Sequence, residues 1–107
     1  VLLPESLTTE WIAQRVHLEE YIISRHAEVE RLNDAVSISE LEEALLCGTV
    51  IEDYADDLRG SSCLVWGKSA YRDIHVVCGR NRHDWLVIIT VYVPTLPKWR
   101  SPSERNG

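Results

Sequence analysis

Cysteine, glycine, proline and positive charge are all scarce in this chain of 107 residues, and long apolar runs are absent. Each shortage excludes something. The three cysteines, Cys47, Cys63 and Cys78, are odd in number and widely spaced, which disfavours a disulfide framework. No Cys-x-x-Cys pair exists, so a zinc ribbon is not expected, and neither a metal nor a cofactor is. Each thiol sits beside apolar residues, and all three are expected to be buried and inert. No apolar run approaches the length of a membrane helix, so no membrane partner is expected. The opening Val1-Leu2-Leu3-Pro4, followed at once by Glu5, is too short for a signal peptide, which makes the cytoplasm the expected location. No repeat, low-complexity segment or domain boundary interrupts the chain. It reads as one domain over residues 1–100 with a disordered tail at 101–107.

The net charge is -6, whereas proteins that bind nucleic acid by charge alone are usually basic. Carboxylates crowd residues 19–57, while Lys68, Arg72, Arg80, Arg82, Lys98, Arg100 and Arg105 lie C-terminal. A local basic patch is therefore available for RNA, and the acidic half suits a basic protein partner or a second copy of the chain.

What is present is a clear order of elements. Residues 7–20 read as a helix capped by Thr8, with Glu10 favouring its first turn. Tyr21-Ile22-Ile23 reads as a break or register shift. Ser24 caps a second helix over 25–34, with Ala27, Leu32 and Val29 inward. Ser37 and Glu40 make a capping box ahead of Leu41, Ala44 and Leu45, and Gly48 suits the C′ position closing that third helix. Strands follow at Thr49–Tyr54, Cys63–Gly67, Ile74–Cys78 and Trp85–Val93, the last ended by Pro94 and Pro97. The class is α+β: N-terminal helices packed on a four-stranded antiparallel sheet. Simple alternation puts Val87, Ile89, Val91 and Val93 on one face of the last strand. On the other face Thr90 and Tyr92 interrupt the apolar pattern, and a groove or partner belongs there. Trp66 and Trp85 are expected to help the core, Trp99 to fold back onto the sheet, and Trp11 to anchor the first helix or an interface.

The titratable residues in apolar surroundings are the candidates for chemistry. Cleavage of RNA by its own 2′-hydroxyl needs one group to take a proton, one to give a proton, and a cation at the phosphate. His26 opens the second helix beside Arg25, where a helix N-terminus favours phosphate. His75 is mid-strand, and Tyr92 ends the most apolar strand. These three are expected to converge over one water-accessible hollow as catalytic residues. Tyr54, Arg25, Arg80 and Arg82 are the expected RNA contacts, the run Arg80-Asn81-Arg82-His83 being the best local phosphate site. His17 has no partner in sequence. Asp53, Asp56 and Asp57 lack the spacing of a calcium loop and read as a solvated turn.

Five segments then stand in a recognisable order: Ile23-Ser24-Arg25-His26-Ala27; Gly48-Thr49-Val50-Ile51-Glu52-Asp53-Tyr54; Ser62-Cys63-Leu64-Val65; His75-Val76-Val77-Cys78; and Ile88-Ile89-Thr90-Val91-Tyr92-Val93-Pro94 with Trp99. Over residues 22–99 the chain resembles the domain-of-unknown-function family 4258. The resemblance implies a fold similar to the RelE and BrnT ribonuclease toxins of bacterial toxin–antitoxin systems. It also implies a small zinc-finger antitoxin-like protein as partner. Departures fall at turns: Ala55, Leu58 and Ser61 replace usual prolines, Ala35 a usual glycine, and Val93 a usual acidic residue. A non-catalytic protein-binding module or homodimer of the same fold is the alternative.

Overall fold

The computed structural model describes residues 7–54, 60–69, 72–95 and 99–105, with Trp99 and Arg100 described by backbone alone. Helix α1 (Thr9–His17) starts at Thr8, whose hydroxyl accepts from the Trp11 amide. It ends where Glu19 turns to φ 58 and the Glu20 amide returns to the Arg15 carbonyl. That left-handed stop feeds β1 (Tyr21–Ile23), which corrects the sequence reading of these residues as a break. Helix α2 (Arg25–Asn33) is capped by Ser24, and α3 (Ile38–Cys47) by the reciprocal Ser37–Glu40 box. Then come β2 (Thr49–Tyr54), β3 (Ser62–Lys68), β4 (Asp73–Arg80) and β5 (Leu86–Tyr92).

The sheet has five strands in the order β1-β5-β4-β3-β2, and it is mixed rather than four-stranded and antiparallel: β1 runs parallel to β5. The three-residue β1 is too short to show alternation, which is why its pairing was not legible. Short strands β6 (Trp99–Ser101) and β7 (Glu104–Arg105) form a hairpin, while residues 106–107 lie outside the described set.

All three helices contribute to one core. Ile12, Leu41, Ala44 and Leu45 pack with Cys63, Val65, Ile74, Val76, Cys78, Leu86, Ile88 and Val91 from one face of the sheet. The approach of α3 to β3 is close. A Cβ on Gly67 would stand 2.0 Å from the Ala44 carbonyl oxygen, and one on Gly48 would stand 2.4 Å from Val65 Cγ1. Gly48 has φ -77, so it is not the left-handed C′ residue expected; it is required for packing. Helix α2 also differs from expectation. Ala27 and Arg31 are its buried residues, whereas Val29 and Leu32 are exposed, because the helix runs along the open edge of β5. There the Glu30 and Asp34 carboxylates accept from the edge amides of Val91 and Val93, at 3.2 and 2.9 Å. Such carboxylates block the edge against pairing with another chain.

Two bulges decide which side chains reach the helix-free face. Between β2 and β3, Val50 pairs with Val65 and Glu52 with Leu64, so Ile51 is extra. Between β4 and β5, Val77 pairs with Thr90 and Cys78 with Ile88, so Ile89 is extra. A bulge shifts alternation by one residue. Glu52 and Tyr54 are thereby turned to the helix-free face, and so are Thr90 and Tyr92. Val91 goes to the core, which corrects the single face expected for Val87, Ile89, Val91 and Val93.

Candidate active site

On the helix-free face, β3, β4 and the two bulged strands bring together a polar cluster over the buried Leu64. His75 is at its centre and is 0% exposed. Tyr92 lies opposite it across β4 and β5, with ring centroids 5.2 Å apart in an edge-on arrangement. His75 Nε2 is 2.5 Å from the Pro102 carbonyl oxygen, in the hairpin that covers the pair. A carbonyl only accepts, so Nε2 carries the hydrogen and Nδ1 accepts from the Tyr92 hydroxyl 3.1 Å away. Burial pushes the His75 imidazole below its ordinary value of 6.5, against an opposing pull from the Pro102 carbonyl.

Glu52 faces the same space. The Arg105 guanidinium grips its carboxylate with two bonds, 2.6 and 2.8 Å, and the Tyr54 hydroxyl donates to it as well. The Arg105 bond holds the Glu52 carboxyl below its usual 4.5, and the nearby His75 acts in the same direction. Burial, then the bond to Glu52, pushes Tyr54 up to about 12. The cluster therefore holds an ionised carboxylate, an imidazole, a guanidinium and two phenols. Beyond the hairpin the same face opens into a groove of about 520 Å³, lined by Tyr54, Ser61, Ser62, Gly79, Arg80 and Thr90 among others.

The expected trio does not form one site. His75 and Tyr92 are together, but His26 projects from α2 outside the β5 edge, its side chain 68% exposed, paired with Glu30 at 3.1 Å. His75, far from lying in a water-accessible hollow, is sealed under the hairpin. Of the expected RNA contacts, Tyr54 joins the cluster and lines the groove. Arg80 lines the groove too, yet its guanidinium lies 4.4 Å over the Trp11 ring and its Nε is 3.1 Å from Asp84. Arg25 and Arg82 are exposed. The Arg80–His83 run is a built turn: Asn81 Oδ1 accepts from the His83 and Trp85 amides, and Asp84 has φ 65. Arg72 is structural, bonding the Asp34 and Ala35 carbonyls and Glu40, so the basic residues do not pool into one patch.

Other expectations are adjusted as well. Cys63 and Cys78 are buried, but Cys47 is exposed. Trp66 donates to Asp73 at 2.8 Å, Trp85 is 37% exposed, and Trp11 packs against the core. Asp53 is exposed; Asp56, Asp57 and Lys98, like the Trp99 and Arg100 side chains, lie outside the described residues. Among the described residues no cluster of His, Cys, Asp or Glu has the arrangement to hold a metal, and no helix is long and apolar enough to cross a membrane. Sequence reasoning missed Glu52 and Arg105. The signal for Glu52 is its i, i+2 spacing to Tyr54 on one strand; for Arg105 there was none.

A sheet covered by helices on one side, with a titratable cluster on the other, defines a small α+β domain whose site lies on the sheet. The model of the domain of unknown function DUF4258 matches residues 23–93, and the chain belongs to that family. No curated protein and no solved structure matches the chain.

Proposed function

We propose that the chain is a metal-independent endoribonuclease, acting as the toxin of a toxin–antitoxin pair through Glu52, His75 and Arg105, with Tyr54 and Tyr92 in support. The observation that carries this reading is the meeting of a carboxylate, an imidazole and a guanidinium on the helix-free face. Glu52, already ionised, takes the proton of a ribose 2′-hydroxyl; its oxygen attacks the phosphorus and the bond to the 5′-oxygen breaks. Once the hairpin opens, water reaches His75, which takes up a proton there and gives it to that leaving oxygen, and the products are a 2′,3′-cyclic phosphate and a 5′-hydroxyl. Arg105 exchanges its carboxylate for the phosphate as negative charge develops there. Tyr92 orients the imidazole. The reaction requires the Pro102 carbonyl to leave His75 Nε2, so hairpin movement precedes chemistry.

The test is incubation of single-stranded RNA with the full chain in excess chelator. Cyclic-phosphate products that disappear with His75→Ala and Glu52→Gln support the reading; products unchanged in both variants remove it. The alternative, a binding module, draws on the outer face of α2, where Val29 and Leu32 are 54% and 63% exposed one turn apart. Such exposed apolar pairs suit an antitoxin-like protein or a second copy of the chain. RNA left intact by a chain that co-purifies with a partner, and loses it on Leu32→Lys, favours the module.

A further inference from the structure

We infer that the open groove beside the cluster is a subsite for one unpaired nucleotide next to the scissile phosphate, which makes single-stranded RNA the substrate class. The inference rests on the nuclease reading for the word "scissile", but the subsite itself is tested without cleavage. Tyr54 ties the two regions together: its hydroxyl donates to Glu52 in the cluster while the residue lines the groove. A base lying in the groove therefore places its own phosphate at the Glu52 end.

The lining suits a nucleoside. Val77, Val87 and Ile89 give an apolar floor, and Ser61, Ser62 and Thr90 give hydroxyls for a base edge or ribose. Gly79 keeps the floor low: a Cβ there would stand 3.1 Å from the Ser61 carbonyl oxygen and 3.4 Å from Ile89 Cδ1, in space the groove now has. The volume of about 520 Å³ is in the range of small-ligand sites. Arg80 lines one end, although its guanidinium is held over Trp11 and beside Asp84, and Arg82 follows in the exposed turn. At the other side the Ser24 hydroxyl bonds the Ile89 carbonyl at 3.2 Å, which sets exposed Arg25 beside the β5 wall. A base held in a duplex is stacked and paired and does not enter such a groove, whereas an unpaired one stacks on an aromatic side chain.

The probe is a fluorescein-labelled 2′-O-methyl hexaribonucleotide, which lacks the nucleophile and stays intact, compared with the same strand in a duplex. Anisotropy titration of the full chain is expected to give at least tenfold tighter binding of the single strand. Val87→Trp, which fills the groove opposite Gly79 and away from His75, is expected to weaken that binding at least tenfold while the circular dichroism spectrum is kept. Amide shifts of the wild-type chain supply a readout that no variant's folding affects. Shifts centred on Ser61, Ser62, Gly79 and Thr90 support the subsite; shifts centred elsewhere, equal binding of duplex, or a folded Val87→Trp chain that binds like wild type overturns it. Binding by this criterion with no cleavage of ordinary RNA removes the nuclease and leaves the subsite standing.

Discussion

Tyr92 stands opposite His75 because Ile89 is squeezed out of the ladder between β4 and β5. In an unbulged pairing Val91 would take that place and Tyr92 would point into the core. The same device at Ile51 turns Glu52 to the helix-free face. The site is therefore a product of two one-residue insertions, each shifting the alternation of one strand.

Buried and neutral, His75 makes the fold sensitive to mild acid. Its folded value lies below its ordinary 6.5, so the unfolded chain binds the proton more readily. The stability this neutral imidazole contributes is full above 6.5 and is lost as pH falls through the folded value. Carboxylates such as Glu52 and Glu40, lowered from 4.5, act in the same direction but in a more acidic window. Urea midpoints should therefore fall for the wild type once pH drops below 6.5, and the fall should be shallower in His75→Gln. Parallel curves for the two chains down to pH 5 exclude His75 as the source.

Arg105→Ala separates chemistry from cover. The guanidinium clasps Glu52 from the hairpin whose Pro102 covers His75. Without it the hairpin opens more readily and the phosphate loses its cation. Modification of His75 by diethyl pyrocarbonate, read by peptide mass, should speed up severalfold relative to exposed His26. RNA cleavage should fall by about a hundredfold or more, the usual loss for one transition-state donor. A rise or fall of both together contradicts the dual role.

Much of the frame was legible in sequence, and the reason is local. Thr8, Ser24 and Ser37 announce three helix starts through their own amide contacts, and β2 to β5 carry long β-rich runs. Parallel β1 was not legible, since three residues carry no period. Val29 and Leu32 misled because their helix lies along an edge and buries Arg31 instead, whose guanidinium finds Glu28 and the Val36 carbonyl. His75 and Tyr92 were found as polar exceptions in apolar strands, and they are neighbours. His26 was chosen for its type and its helix end, and nothing in those properties says on which side of β5 it falls. Glu52 escaped notice because a bulge is invisible to strict alternation.

The cysteines offer a direct check on the core. Cys63 and Cys78 face each other across β3 and β4, Sγ atoms 3.8 Å apart and both buried, and the hydrogen bond between them, then burial, pushes the Cys78 thiol well up. Cys47 is exposed near the Lys68 carbonyl. One thiol should react promptly with a disulfide reagent in the native chain, and two more should appear only in denaturant. Cys47→Ser should remove the prompt reaction alone. Prompt reaction of all three would mean that the helix layer does not cover the sheet.

Ala35 carries a cost that one substitution should recover. It ends α2 with φ 53, in the left-handed region, while the Val36 amide returns to the Arg31 carbonyl at 2.8 Å and the Ala35 amide to the Leu32 carbonyl at 3.1 Å. This is a left-handed helix stop, a position that favours glycine, and alanine stands there. A Cβ in that region costs roughly 1–2 kcal/mol, against roughly 0.5–1 kcal/mol of extra chain entropy that glycine loses on folding. The first effect is the larger, so Ala35→Gly should stabilise the fold by up to about 1 kcal/mol and raise the melting temperature by a few degrees. The Asp34 and Ala35 carbonyls that hold Arg72 are backbone atoms and survive the change, so the tie to Glu40 and β4 should persist. A melting temperature that falls on Ala35→Gly would show that the turn is not left-handed in solution, and the placement of Arg72 that depends on it would fall as well.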